Sequence, residues 1–402
     1  MRWLLLPLVL LLSACGVRAP APAPRPARPP VTILISIDAF RPDYLHRGRT
    51  PNLDALAAGG VWAAMRPSFP TKTYPNHYTL VTGLRPDRHG IVGNKMRDPA
   101  RPGELFTMQN TADPFWWRGG EPIWVAAERA GIRTASLFWP GAQAPWQGIQ
   151  PRDWLPYDKA MPTRARVERV LAWIGQPEAA RPRFVALYFD RVDEDTHRHG
   201  VGSAEGNAAI AEIDSAIGTL RDRLAAMGEP ANLIIVSDHG MALTSPDRVV
   251  MLDRYVARAD YDIAEEGAIL SVFPKPGREE TVARALLGRH PHLSCWTPDR
   301  IPARFRYGRN VRMPPIFCLP DEGWLAYADP PKAVDLGSHG YDNDLPSMRA
   351  LFIANGPAFA GGRRVPTFDN VDVYPLLRDL IGLPPASDVD GTDAPFRGVL
   401  RR

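Results

Sequence analysis

Apolar residues in this chain gather in short, almost unbroken runs. Val31-Thr32-Ile33-Leu34-Ile35-Ser36-Ile37 is one; Phe184–Phe189, Leu233–Val236 and Ala350–Ile353 are others. Runs of this length, rich in β-branched and aromatic residues, predict strands covered on both faces. Arg133–Phe138 is a weaker example. Between the runs the period becomes helical. Ile210, Ile213, Ile217, Leu220 and Leu224 recur at intervals of three and four, which aligns one apolar helix face. Thr50-Pro51 and Gly59-Gly60 bracket a second helix, proline at its start and glycine at its end. Pro122–Ala130 and Val371–Ile381 supply two more. Strands alternating with helices predict an α/β fold with a mostly parallel central sheet flanked by helices. Ligands of such sheets collect beyond the carboxyl ends of the strands. Residues 241–335 show no strong buried-strand run, so they read as a smaller inserted cap region beside the site.

The first thirty residues read differently. Residues 1–15, MRWLLLPLVLLLSAC, join one Arg to a ten-residue apolar stretch, short of the ~20 residues of a membrane span. A secretory signal is the better reading. Its end, Leu12-Ser13-Ala14-Cys15, resembles a bacterial lipobox. That implies lipidation of Cys15 and anchoring to the outer membrane, on its periplasmic or its outer face. An ordinary signal peptide with an incidental Cys is the other reading. Residues 16–30 hold six prolines and form an extended Pro-rich tether. One α/β domain, with the insertion around 241–335, then spans 31–402. Export places Cys295 and Cys318 in an oxidising compartment, where an even pair favours a disulfide over two buried thiols.

Composition narrows the function classes. The chain has 402 residues, 45% hydrophobic and 23% charged, which is the balance of a globular protein. Its 43 prolines exclude a helical bundle or coiled coil and imply many ordered loops. The net charge is +4 with no long Lys/Arg run, so no binding to nucleic-acid duplexes is expected. A monomer is expected.

Three strand ends carry acids or imidazoles. Ile37 leads to Asp38; Phe189 leads to Asp190, Asp193 and His197; Val236 leads to Ser237-Asp238-His239-Gly240. Asp193 and His197 share one face if their stretch is helical. His339 sits among small residues in Gly337-Ser338-His339-Gly340. Carboxylates and imidazoles without thiolates suit zinc in a catalytic site. Three Asp and three His suffice for two metals, although each His taken singly fits a core or a surface equally well. Pro70–Gly83 adds Thr73 at a helix start, where free backbone N–H groups favour an anion such as phosphate. A plain capped helix fits the same residues.

Together, Ser36-Ile37-Asp38, Lys72-Thr73-Tyr74-Pro75-Asn76-His77, Asp193-x-x-x-His197, Ser237-Asp238-His239-Gly240 and Gly337-Ser338-His339-Gly340 resemble the nucleotide pyrophosphatase/phosphodiesterase family. That family belongs to the alkaline phosphatase superfamily. Order and spacing match over roughly residues 31–385, and the stretch 82–91 with Gly93-Asn94 adds to the match. The resemblance implies an alkaline-phosphatase-like fold and two Zn²⁺ per chain. It implies that Thr73 is the nucleophile, with its Oγ on the zinc held by Asp38, Asp238 and His239. Asp193, His197 and His339 hold the second zinc, and Asn94 donates to a phosphoryl oxygen. It also implies a covalent phospho-threonine intermediate and a small-molecule phosphodiester or nucleotide as substrate. A threonine hydroxyl is a poor nucleophile at its free pKa, which is why metal is needed beside it.

Two positions depart from the family pattern. Thr196 stands where Gly is frequent, and Tyr74 where Phe is frequent. Tyr74 can stack on a base or serve in packing. Phe115-Trp116-Trp117, Trp139 and Tyr157 are further candidates for a substrate pocket. His77 and His199 adjoin the motifs and either support the ligands or occupy ordinary core or solvated positions.

Two other functions fit parts of the pattern. A phosphate monoesterase of the same superfamily shares the metals but needs extra cations; no Arg adjoins Thr73, only Lys72. A non-catalytic anchored lipoprotein has no use for a complete ligand set. The absence of a C/S-x-P-x-R pattern in the nucleophile segment speaks against a sulfatase.

Overall fold

In the computed structural model of the protein, which describes residues 28–401, seven consecutive buried residues form β1 (Val31–Ile37). The signal, the lipobox with Cys15 and most of the tether lie outside the described residues. Further strands are β2 (Val61–Met65), β3 (Thr134–Leu137), β4 (Asp153–Leu155), β5 (Phe184–Phe189) and β6 (Ala231–Val236). With Ala350–Asn355 and Arg363–Arg364 they make an eight-stranded sheet. Its order is Arg363–Arg364, β2, Ala350–Asn355, β6, β1, β5, β3, β4. Only Ala350–Asn355 runs antiparallel to its neighbours, so the sheet is mixed and mostly parallel.

Both faces of the sheet are covered, as the unbroken apolar runs require. Ile33, Ile35 and Ile37 join one core with Leu53 of the Pro51–Gly59 helix, Val167 of Thr163–Ile174 and Ile213 of Ala204–Ala226. Leu34 faces the other core, with Tyr78, Trp124 and Leu377. The 3-4-3-4 positions Ile210, Ile213, Ile217, Leu220 and Leu224 are all buried on their helix. Thr50 departs from a standard cap: its hydroxyl donates to Asp54 Oδ1 at 3.2 Å, not to the backbone.

Residues 241–335 contain more strand than their pattern suggests. A second, five-stranded antiparallel sheet has the order Gly288–His290, Leu293–Trp296, Ile316–Pro320, Leu270–Pro274, Tyr261–Ile263. These strands are three to five residues long and broken by Gly and Pro, too short to stand out as runs. They enclose a core of their own around Leu270, Val272, Leu286 and Ile316. Cys295 and Cys318 sit opposite each other on neighbouring strands of this sheet and are disulfide-bonded.

Register places the site. β1 pairs Ile37 with Phe189 of β5 and Ser36 with Val236 of β6. Asp38, Asp190 and Ser237 therefore leave the same end of the sheet side by side.

Candidate active site

Each strand end delivers one part of the cluster. Asp38 follows β1 directly and is 1% exposed. After β5 the chain turns into the helix Arg191–His199, which carries Asp193 and His197 one turn apart on one face. After β6, Asp238 and His239 lie in an irregular, fully buried stretch, so adjacent side chains can face one point. Ser237 fixes that stretch: its hydroxyl donates to His239 O at 2.6 Å and accepts from Phe40 N at 2.9 Å.

Gly337 brings in the last segment. A Cβ there would collide with the Thr196 carbonyl, so only glycine lets the His339 loop pack on the Asp193–His197 helix. Thr196 fits because its own hydroxyl turns back to Val192 O at 2.7 Å. Thr73 is the first residue of the helix Thr73–Thr82, with Lys72 extended before it.

All three expected histidines are oriented in the same way. Nδ1–H of His197 donates to Gly337 O at 2.7 Å, that of His239 to Gly240 O at 3.0 Å, and that of His339 to Thr71 O at 2.8 Å. Each Nε2 is left to face the cluster, the arrangement of metal-binding imidazoles. His239 Nε2 lies 3.4 Å from Asp38 Oδ1, 2.9 Å from Asp238 Oδ2 and 3.3 Å from Thr73 Oγ1. Asp193 Oδ1 lies 3.3 Å from His197 Nε2 and 3.6 Å from His339 Nε2. Two groups of ligand atoms fall within 4.8 Å of one another, Asp38/Asp238/His239 and Asp193/His239/His339. His239 belongs to both, and His197 reaches the second group through Asp193.

The electrostatics favour a bound cation. Asp38 Oδ1, Asp193 Oδ1 and Asp238 Oδ2 are buried and accept no hydrogen bond. Unpartnered buried carboxylate oxygens are costly unless metal or protons neutralise them. Burial pushes the Asp38 carboxyl well above the usual carboxylate range, and Asp238 and Asp193 push it further. Burial, then Asp193, raises Asp238 to about 8. Burial lowers His239 and His339, holding both in the neutral form that binds metal. His197 differs: burial lowers it, but Asp193 and Asp335 outweigh burial and raise it to about 10. The donor set fits divalent metal.

Other polar groups steady the cluster. Tyr188, which the sequence reading did not single out, donates its hydroxyl to Asp38 Oδ2 at 2.6 Å. His77 is fully buried between Ser36 Oγ and Thr73 O, at 2.8 Å from each, and so supports the Thr73 backbone. His199 is half-buried at the end of its helix. Asn94 Oδ1 accepts from Tyr74 N at 2.9 Å, so its NH₂ remains free as a donor. Asp190 holds the buried Arg166 at 2.9 Å and accepts from the Tyr157 hydroxyl.

A cavity opens beside Thr73, lined by Tyr74, Phe138, Trp139, Tyr157 and Tyr188. Of the aromatic candidates, Tyr74, Trp139 and Tyr157 line it. Trp116 and Trp117 are buried in the core and do not. Tyr74 packs edge-on against Phe106 and Trp117 and also borders the cavity, so it serves in packing and faces the space a base would enter. A second cavity meets the first at Thr73, bounded by Lys72, Asn94, Asp193, His197 and His339.

Against known proteins, residues 32–342 match the family model of type I phosphodiesterase/nucleotide pyrophosphatase. The chain belongs to that family. It is 36% identical over 364 residues to the bis(5'-adenosyl)-triphosphatase ENPP4 of Bos taurus, covering 89% of this chain and 80% of that protein. It is 35% identical over 356 residues to human ectonucleotide pyrophosphatase/phosphodiesterase family member 5, covering 87% and 74%. The solved murine ENPP5 superposes with a TM-score of 0.88 at 34% identity, over 92% of this chain and 100% of that one. An inactive threonine-to-alanine form of murine ENPP5 has been solved in complex with AMP. The fold is thus that of the alkaline phosphatase superfamily, and the protein is a hydrolase of a metal-dependent family.

Proposed function

We propose that this enzyme hydrolyses phosphodiester or pyrophosphate bonds of nucleotides through Thr73, with two zinc ions held by its Asp and His side chains. One observation carries the reading: three orphaned carboxylate oxygens cluster with the Nε2 atoms of His239, His339 and His197, and His239 Nε2 lies 3.3 Å from the Thr73 hydroxyl. Asp38, Asp238 and His239 would hold one ion, and Asp193, His197 and His339 the other. Bound zinc supplies Lewis-acid polarisation of oxygens and a water of lowered pKa. Thr73 Oγ attacks phosphorus and loses its proton; the bond to the leaving oxygen breaks, and that oxygen takes up a proton. The threonyl phosphate so formed is hydrolysed by water, which restores the Thr73 hydroxyl. The free Asn94 NH₂ donates to a phosphoryl oxygen, and His77 holds the Thr73 backbone in place.

The aromatic cavity of Tyr74, Trp139 and Tyr157 suits a nucleoside. The AMP complex of murine ENPP5 and the bis(5'-adenosyl)-triphosphatase activity for which ENPP4 is named make nucleoside monophosphate release from a dinucleoside triphosphate the first reaction to test. Against the monoesterase reading, Lys72, the cation next to Thr73, is already paired with Glu265 at 3.6 Å. The proposal includes a lipid anchor at Cys15, placement at the outer membrane and a monomeric enzyme. The deciding experiment compares zinc-loaded protein lacking residues 1–15 on bis-(p-nitrophenyl) phosphate and on p-nitrophenyl phosphate. The diester should react much faster. A faster monoester overturns the reading.

A further inference from the structure

Glu265 reaches the site from the second sheet. It sits in the turn between Tyr261–Ile263 and Leu270–Pro274, where Ser271 N donates to its carbonyl at 2.9 Å. Its side chain is buried and makes two contacts. Oε1 lies 3.6 Å from Lys72 Nζ, and Oε2 accepts from Lys95 N at 3.2 Å. Both partners adjoin reactive residues: Lys72 precedes Thr73, and Lys95 follows Asn94. Gly93 has no side chain where a Cβ would collide with the Glu265 carboxylate, so this close approach is built into the loop.

We propose that Glu265 is a specificity-determining residue that restricts the enzyme to singly charged phosphoryl groups by neutralising Lys72. The inference rests on the diesterase reading above. Two divalent cations held against Asp38, Asp193 and Asp238 would leave one surplus positive charge among these groups. That matches the single negative charge on the non-bridging oxygens of a diester. Lys72 forms part of the cavity wall with Thr73 and Asn94. Unpaired, it would add a second positive charge and suit the doubly charged monoester. Paired with a carboxylate at 3.6 Å, it adds none. Discrimination then comes from withholding attraction from the wrong substrate as well as offering it to the right one.

The test uses the zinc-loaded protein lacking residues 1–15 and its Glu265→Gln form, which keeps an oxygen for Lys95 N. The variant should raise the ratio of monoester to diester kcat/KM at least about tenfold, and inorganic phosphate should bind at least about tenfold more tightly by calorimetry. Adding Lys72→Gln to Glu265→Gln should cancel both gains. Lys72→Gln alone should weaken phosphate binding below wild type, which decides the matter if Glu265→Gln does not fold. Unchanged phosphate affinity in Glu265→Gln, or gains that persist in the double variant, overturns the role of Glu265. A wild-type preference for the monoester instead overturns the diesterase reading, and this inference with it.

Discussion

His239 and His339 lie face to face, with ring centres 3.5 Å apart and planes inclined by 15°. Both commit Nδ1 to a backbone carbonyl, so their Nε2 atoms open on the same small volume. Protonating both would set two cations in contact. The cluster is therefore built for neutral imidazoles beside externally supplied positive charge. Zinc at a hundred times its dissociation constant should stabilise the fold by about 2.7 kcal/mol per site. Thermal unfolding after chelation and after zinc return checks this; identical curves would refute a metal centre.

Thr73→Ala should reduce turnover by about 10³-fold or more and leave zinc bound. Thr73 meets the cluster through one contact, Oγ1 to His239 Nε2 at 3.3 Å, so the six Asp and His donors are unaffected. Elemental analysis beside steady-state kinetics separates the two effects. Retained turnover removes Thr73 from the chemistry.

Gly337→Ala should separate the His339 loop from the Asp193–His197 helix, because the new Cβ meets the Thr196 carbonyl. A loss of about 1–3 kcal/mol, the usual range for overpacking, is expected together with weaker zinc retention. Chemical denaturation and zinc titration measure the pair. Normal zinc affinity would show that the loop does not depend on this contact.

His89 lies away from the metal cluster and tests acid stability. Its Nδ1 accepts from Ile91 N at 3.1 Å and its Nε2–H donates to Thr79 Oγ1 at 3.0 Å, so the fold holds a neutral ring. Burial lowers its pKa from 6.5 to about 3. The unfolded chain takes up the proton first as the pH falls. The contribution is intact above pH 6.5 and is lost progressively towards pH 3. His89→Gln should flatten the dependence of unfolding free energy on pH between these values. An unaltered slope would assign the acid sensitivity elsewhere.

Replacing Cys295 and Cys318 by Ala removes a link between residues 23 apart in sequence. The expected cost is about 3 kcal/mol. The pair belongs to the second sheet, so zinc content should hold at temperatures where the fold survives. Calorimetry of the double variant measures the cost; an unchanged melting temperature contradicts it.

The main sheet was legible because its strands are buried on both faces. Val31–Ile37 and Phe184–Phe189 coincide with β1 and β5 to the residue. The second sheet was not, because its strands are only three to five residues long, and Leu293–Trp296 among them alternates buried and half-buried residues. The acids and imidazoles at strand ends were legible by type and spacing. Their orientation was not: carbonyls of Gly337, Gly240 and Thr71, which select Nε2, leave no trace in residue identity. Tyr188 and Glu265 were hidden for a related reason. Tyr188 reads as one more strand residue, and Glu265 comes from a segment 193 positions beyond Lys72 that only the fold brings close.

β1 also fixes how the enzyme meets its surroundings. The chain enters the sheet at Val31 and reaches Asp38 only at the far end, so entry point and reactive centre are a strand length of roughly 23 Å apart. Anything attached ahead of Arg28 therefore holds the molecule from behind. The anchor proposed at Cys15 would, on this geometry, leave the mouth facing outward and set the radius of the shell in which substrate is captured.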